Sequence, residues 1–272
     1  MPFPTFVIVG AQKSGTTTLH DLLGQLPDAW MSEPKELHFF DKHLNRGLEW
    51  YAGQFQPGPE HVAWGESTPF YLYKDRARDA MVDALPSARF VAILREPVSR
   101  AYSHYWFARS KGKESLSTFA EAVAAEPERL SNSKDGQPAA YSYLDRGRYL
   151  RQLVALTERV GRERLLVHLM DDLSADPRGV LATTCTFVGL DPGGVAEVEV
   201  LSKNTFAERT VNSADGQSKR RLRRRNDAGL QDGYPPIDAG LAADLRAAFH
   251  EENLALSRWL GRDLSSWLPV EP

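Results

Sequence analysis

The stretch Phe6-Val7-Ile8-Val9-Gly10-Ala11-Gln12-Lys13-Ser14-Gly15-Thr16-Thr17-Thr18-Leu19 constrains this chain more than any other. Phe6 to Val9 is a short apolar run rich in β-branched residues, the pattern of a buried strand, and it stops at Gly10. Small, glycine-bearing and hydroxylated residues follow. From Thr16 onward the apolar residues are Leu19, Leu22, Leu23 and Leu26, which is helical spacing. Strand, tight loop and helix in that order make a cradle for an anion. The loop N–H groups and the positive end of the helix dipole face the same point.

One lysine narrows the kind of anion. A Walker A loop, G-x-x-x-x-G-K-[ST], carries its lysine directly after the second glycine. Gly10 and Gly15 have that separation, but Thr16 stands in the lysine position and Lys13 lies inside the loop. The next strong strand, Arg89 to Leu94, runs into Arg95 rather than into an aspartate that could hold Mg²⁺. Both features argue against a P-loop small-molecule kinase. An ordinary β–α turn has no need of so many glycine and hydroxyl residues beside a lysine.

Beyond this loop the chain alternates strand and helix patterns. Val62–Glu66, Arg89–Leu94 and Leu165–Leu169 read as strands. Helices are expected from Pro97, over Tyr149–Val160, over Pro177–Val188 and from about Leu241 to Leu260, with a shorter helical piece in Gly47–Tyr51. Pro34-Lys35-Glu36-Leu37-His38-Phe39-Phe40-Asp41 alternates polar and apolar residues like a short strand or extended loop. This order predicts one P-loop-like α/β domain over residues 1–272. Its central parallel β-sheet is flanked by helices on both faces, with loops at the strand carboxyl ends building the site.

Composition sets the outer bounds. With 42% hydrophobic and 25% charged residues, the chain reads as a soluble globular protein. A formal net charge of −3 gives no general attraction to nucleic acid. No run is long and apolar enough to span a bilayer, and the N-terminus enters the first strand almost at once, so neither a membrane span nor a signal peptide is expected. The single cysteine, Cys185, lies in an apolar helical stretch and reads as core; it excludes an intrachain disulfide and fits a cytoplasmic location. Two polar segments stand apart. Ser131 to Pro138 is the candidate for a mobile loop over a site. Lys219-Arg220-Arg221-Leu222-Arg223-Arg224-Arg225 reads as a solvated helix face, as a nucleic-acid patch or as a segment that neutralises an anionic ligand.

A second anion grip follows the strand Arg89–Leu94. Arg95 lies at its carboxyl end, and Ser103 falls about two turns along the helix that Pro97 starts. A guanidinium can hold a phosphate bidentately and a hydroxyl can add a bond. Taken alone, Arg95-Glu96 could equally be a helix-start ion pair and Ser103 a solvated serine. Glu36 alone reads as a surface carboxylate, and His38 as a hydrogen-bonded structural histidine.

Gly10-Ala11-Gln12-Lys13-Ser14-Gly15-Thr16-Thr17 resembles the 5′-phosphosulfate loop of the sulfotransferases that use 3′-phosphoadenosine 5′-phosphosulfate (PAPS). Within that superfamily the chain resembles the branch of heparan sulfate sulfotransferases and their bacterial relatives. Arg95 to Tyr105 is similar to the family's 3′-phosphate motif, and Lys35 to Asp41 to the stretch that holds its catalytic glutamate and a supporting histidine. Further similarity lies in Gly47–Tyr51, Gly65–Pro69, Asp172–Pro177 and the tail through Leu268. The resemblance implies that Lys13, Ser14, Gly15, Thr16, Thr17 and Thr18 hold the 5′-phosphosulfate and that Arg95 and Ser103 hold the 3′-phosphate. It makes Glu36 the general base, His38 its support, and Lys13 the cation on the leaving phosphate oxygen. Transfer is in line to a small-molecule, glycan or lipid-linked acceptor, at a hydroxyl before an amine. No metal is expected, because a singly charged sulfuryl group makes no evident demand for Mg²⁺. Two departures stand out: Ser67 where heparan enzymes often carry a lysine, and no recognisable late glycine-and-basic cofactor loop. The alternatives are the kinase and a non-catalytic nucleotide- or RNA-binding module, supported only by the basic run.

Overall fold

A computed structural model describes residues 2–134, 140–200 and 235–269. The basic run Lys219–Arg225 and positions 135–138 of the polar Ser131–Pro138 segment lie outside the described residues. The chain divides into two compact units, Met1–Glu96 with Arg148–Val200 and Leu254–Asp263, and Pro97–Gly147 with Leu201–Asn253 and Leu264–Pro272.

The first unit is built on a five-stranded parallel sheet: β1 (Phe6–Gly10), β2 (Ala29–Met31), β3 (Ala63–Ser67), β4 (Arg89–Leu94) and β5 (Leu165–Leu169), in the order β2-β3-β1-β4-β5. β1 is buried along its whole length, as a central strand covered on both faces must be. It pairs with β3 from Phe6 opposite Gly65 to Ile8 opposite Ser67, and with β4 on its other side. The chain leaves β1 for one half of the sheet and leaves β4 for the other. The switch point between these two strands is where a parallel α/β sheet opens a crevice for ligands. Helices α1 (Thr16–Leu23), α2 (Leu48–Ala52) and α3 (Asp75–Ala84) belong to the connections before β4. A core of Phe6, Ile8, Leu19, Leu23, Val91, Ile93 and Leu181 packs α1 and the later helix Pro177–Val188 against the sheet.

The second unit contains α4 (Pro97–Ser110), α5 (Phe119–Ala124) and α6 (Glu126–Ser131). α7 (Tyr149–Val160), α8 (Met170–Ala175) and α9 (Pro177–Val188) return to the first unit, and α10 (Ala239–Ala248) and α11 (His250–Leu260) follow. Val98, Ala101, Tyr105, Phe119, Tyr143 and Phe249 form the core of the second unit. Thr118 and Glu121 close a reciprocal capping box at the start of α5.

Of the short strand and the extended loop read for Pro34–Asp41, the structure holds the loop, which enters a π-helical turn at Phe39–His43. Its amides are taken by side chains instead of a neighbouring strand, His38 N–H donating to Thr68 Oγ1 and Phe39 N–H to the Tyr71 hydroxyl. The expected helix from Leu241 to Leu260 is two helices, broken at Phe249, whose ring is buried against Gly147. β2 has only three residues, too few to show an alternating pattern, and was not anticipated.

Gly65 marks the tightest approach in the sheet. A Cβ there would lie 2.6 Å from Cε2 of Phe6 and 2.8 Å from the Phe6 carbonyl oxygen. Backbone cannot step aside as a flexible side chain can, so Gly65→Ala should destabilise the protein by about 1–3 kcal/mol, the usual range for overpacking. Urea unfolding of the purified variant checks this, and an unchanged midpoint would mean that β1 and β3 separate freely here.

Candidate active site

β1 delivers the anion loop to the switch point. Ala11 N–H donates to the Ile93 carbonyl at 2.8 Å, tying the start of the loop to β4. Gly15 precedes α1 with φ 94°, a left-handed backbone that glycine accepts without strain, and an added Cβ would lie 2.9 Å from Leu173. No side chain caps α1 and no acidic residue lies in its first turn. The helix end therefore keeps its positive potential. Ser14 is fully buried, and its hydroxyl has no hydrogen-bond partner. An orphaned donor in a lysine-bearing loop at a helix start fits an anionic ligand.

Arg95 joins this loop from the end of β4. Its Nη1 donates to the Lys13 carbonyl at 3.4 Å, and its own carbonyl accepts the Tyr149 hydroxyl at 2.8 Å. The structure thus gathers Lys13, Ser14, Gly15, Thr16, Thr17, Thr18 and Arg95 about one loop. Ser103 lies on α4 in the second unit, with 5% of its surface exposed.

Glu36 and His38 belong to a second cluster in the first unit. Their loop is held from below, Ser32 N–H donating to the Gly65 carbonyl at 2.9 Å and Ser67 N–H to the Lys35 carbonyl at 3.4 Å. His38 Nε2 lies 3.2 Å from Glu36 Oε2, and Nδ1 lies 3.0 Å from Asp41 Oδ2. Lys35 Nζ lies 3.2 Å from the other Glu36 oxygen. The Asp41 side chain is wholly buried, whereas 42% of the Glu36 side chain stays in solvent. Asp41 is the member that sequence reasoning missed. Its signal was a carboxylate three residues after a histidine, a spacing that becomes a contact only once the chain turns helically at Phe39.

The charges are arranged accordingly. Partial burial works against an ionised Glu36, but hydrogen bonds from His38 and the charge of Lys35 outweigh it and hold the carboxyl at about 2. Burial also works against a charged His38, but its hydrogen bonds to Asp41 and Glu36 prevail and raise the imidazole to about 9. At neutral pH an imidazolium therefore sits between two carboxylates. His20, on α1, is pushed down to about 4 by burial and by Lys35, with Glu36 acting in the opposite sense. The helix that starts at the anion loop is thus within electrostatic reach of Glu36.

The two non-glycine residues with left-handed backbones among those described are Lys13, at φ 70°, and His38, at φ 51°. Such a conformation costs on the order of 1–3 kcal/mol and persists only where the surroundings impose it. At His38 the strained backbone places the ring between the wholly buried Asp41 and the partly solvated Glu36. Among the described residues, no cluster of His, Cys, Asp and Glu is arranged to hold a metal ion.

Comparison with known proteins gives one answer throughout. A family model described as "Sulfotransferase domain" matches residues 3–254. The human bifunctional heparan sulfate N-deacetylase/N-sulfotransferase 3 is 27% identical over 288 residues, covering 98% of this chain and 31% of that protein. The membrane-associated sulfotransferase kil1 of Dictyostelium discoideum is 34% identical over 107 residues, 38% of this chain and 23% of that protein. The chain spans about a third of the length of the first of these relatives. A sulfotransferase structure from Alicyclobacillus acidocaldarius is similar with a TM-score of 0.78 and 27% identity, covering 98% of this chain and 99% of that one. A mouse sulfotransferase solved in complex with PAP shares the fold at a TM-score of 0.56 and 15% identity, over 94% of this chain and 87% of that one.

The His38 environment predicts an acid–base signature. Its pKa is raised from 6.5 to about 9, so the stabilisation from its partners is complete below pH 6.5 and lost as pH rises through 9. Glu36 is depressed from 4.5 to about 2, so its contribution is present above pH 4.5 and lost as pH falls toward 2. NMR titration of the His38 ring should give a midpoint near 9. Asp41→Asn should lower that midpoint more than Glu36→Gln, because the Asp41 hydrogen bond is the larger favourable influence. A wild-type midpoint near 6.5 would dismantle the cluster.

Proposed function

We propose that this chain, which belongs to the sulfotransferase domain family and is a PAPS-dependent transferase, passes the sulfuryl group to a hydroxyl of a small-metabolite, sugar or lipid-linked acceptor, with Glu36 taking the proton. Relatives named N-sulfotransferases make an amine the second choice. The observation that carries this reading is the Glu36–His38–Asp41 cluster, in the same unit as a cationic loop with an orphaned buried hydroxyl. The lone cysteine, buried in the core, fits the cytoplasm as the place of action.

Bound at the loop, PAPS supplies a sulfuryl group already joined to a phosphate leaving group. The loop amides and the residues Ser14 to Thr18 hold the 5′ end. Lys13 offsets charge as it gathers on the leaving phosphate oxygen. Arg95 and Ser103 hold the 3′-phosphate, a role that rests on their sequence motif. Glu36 is ionised and partly open to solvent, so it can meet an acceptor. At about 2 its carboxyl is a poor base while His38 is bound to it. The acceptor's proton therefore passes to Glu36 late, as the new sulfur–oxygen bond forms and makes that oxygen acidic. His38 at Oε2 keeps the carboxylate in place. Asp41 keeps the imidazole within reach from the buried side.

A thermal-shift titration separates this reading from the kinase. Adenosine 3′,5′-bisphosphate without metal should stabilise the protein, by about 2.7 kcal/mol at a hundredfold excess over its Kd. ATP with Mg²⁺ should do markedly less, and the reverse order would favour the kinase. The acceptor class is then sought with radiolabelled PAPS and four probes: de-N-sulfated heparan sulfate, glucosamine, 4-nitrophenol and 1-decanol.

Two substitutions test the residue roles. Glu36→Gln should lower turnover by roughly a hundred- to ten-thousandfold, the usual loss for a general base, with affinity for the bisphosphate unchanged. Near-normal turnover would assign Glu36 to the surface alone. Arg95→Ala should weaken adenosine 3′,5′-bisphosphate more than adenosine 5′-phosphate, by roughly the 1.5–3 kcal/mol of a charge-assisted bond. Calorimetry that finds equal losses for the two nucleotides would show that Arg95 only braces the Lys13 loop.

A further inference from the structure

Beneath the Glu36–His38 segment lies a polar cluster with no part in the scheme above. Glu66, on β3, is completely buried. Its Oε1 accepts from the Tyr51 hydroxyl at 2.7 Å, and its Oε2 from Thr68 Oγ1 at 2.6 Å. The Tyr71 hydroxyl lies beside Glu66 and Thr68, close enough to bear on the Glu66 charge.

Two of these hydroxyls also receive a backbone amide from the loop above. Thr68 Oγ1 accepts from His38 N–H at 3.4 Å. The Tyr71 oxygen accepts from Phe39 N–H at 2.8 Å and from Phe40 N–H at 3.4 Å. A hydroxyl has one proton to give, so one that accepts from an amide directs its own proton elsewhere. The Thr68 proton goes to Glu66, so one chain runs from amide to hydroxyl to carboxylate. The Tyr71 hydroxyl, which takes the next amide, is set beside the same carboxylate. Tyr51 reaches the same carboxylate but meets the loop through its ring, stacked on Phe39 at 4.6 Å.

We infer that Glu66 is a positioning residue for sulfuryl transfer: through Thr68 and Tyr71 it fixes the backbone at His38 and Phe39 and so aims the His38 imidazole between Glu36 and Asp41. The inference rests on the reading of Glu36 as the base. Three observations support it. The left-handed backbone at His38 needs an external hold, and the amide just after it makes the shortest of these loop contacts. The network is dry, so its bonds are strong when complete and costly when broken. Burial pushes the Glu66 carboxyl up to about 7 against the hydroxyls of Thr68, Tyr51 and Tyr71. In its ionised form it only accepts; once protonated it must donate to one of those oxygens and turn a chain around. A glutamine does the same permanently, because its nitrogen cannot accept.

The test compares Glu66→Gln, Thr68→Val, Tyr71→Phe, Tyr51→Phe and Glu36→Gln in the full chain. Three quantities are read: the NMR midpoint of the His38 ring, affinity for adenosine 3′,5′-bisphosphate, and kcat and KM with the fastest of the four acceptor probes. Glu66→Gln and Tyr71→Phe should move the His38 midpoint from about 9 toward 6.5. They should also lower kcat by roughly a hundredfold, as misplaced catalytic groups do, with KM and bisphosphate affinity little changed. Thr68→Val should follow the same pattern. Tyr51→Phe, which removes a hydroxyl from Glu66 without releasing an amide, should retain both the midpoint and most of kcat.

Tyr71→Phe keeps the ring and decides the matter even if Glu66→Gln fails to fold. A wild-type midpoint or a wild-type kcat in Tyr71→Phe overturns the positioning role, and so does a Tyr51→Phe variant as impaired as Tyr71→Phe. Wild-type kcat in Glu36→Gln would overturn the base, and the positioning role with it. Loss of kcat in Glu36→Gln beside a wild-type Tyr71→Phe would overturn the positioning role alone.

Discussion

A strand buried on both faces can offer polar chemistry only at its ends, and this constraint organises the molecule. β1 exposes none of its five residues, and β4 is buried after Arg89. Most backbone groups along them are committed to the ladder, so charge and hydroxyl groups collect where the ladder stops. Gly10 opens the anion loop there, Arg95 closes β4 there, and Glu66 and Ser67 end β3 there. Parallel pairing places these ends on one edge of the sheet. The site follows from strand direction as much as from any single residue.

Within that edge, environment alone gives similar groups opposite characters. Glu36 and Glu66 are both glutamates. One is partly solvated and held at about 2 chiefly through His38 and Lys35, while the other is dry and driven to about 7 by burial. His38 and His20 divide in the same way, one raised to about 9 between carboxylates and the other lowered to about 4 by burial. A pair of groups pushed apart in this fashion marks where protons can be exchanged. The more exposed members of the two pairs, Glu36 and His38, are also in contact with each other.

Much of the fold was legible because the relevant signals are local. β1, β4, β5, α7 and α9 follow from apolar runs and spacing that need no knowledge of neighbours. The anion loop was legible for the same reason, since strand, glycine pair and helix start are contiguous. The Glu36 segment was harder. Its alternation left a strand and an extended loop open, and it is a loop because its amides find hydroxyl partners about thirty residues away, at Thr68 and Tyr71. Glu66, Thr68 and Tyr71 have no spacing signal of their own, because they meet only through the β3 turn, and the three-residue spacing of His38 and Asp41 becomes a contact only where the chain turns at Phe39. The break at Phe249 was likewise invisible, with neither proline nor glycine to announce it.

The tyrosine at position 71 shows how small a chemical difference can separate a firm loop from a loose one. Its ring is completely buried, and its hydroxyl accepts the amides of Phe39 and Phe40. Measures of sequence similarity treat phenylalanine and tyrosine as near equals because their rings fill almost the same volume. Here the whole meaning of the side chain lies in one oxygen. Two descendants of this chain that differ only at that oxygen would look interchangeable in a family tree and identical in packing. They would differ in the loop itself, one with the amides of Phe39 and Phe40 bonded to that oxygen and one without this partner for them.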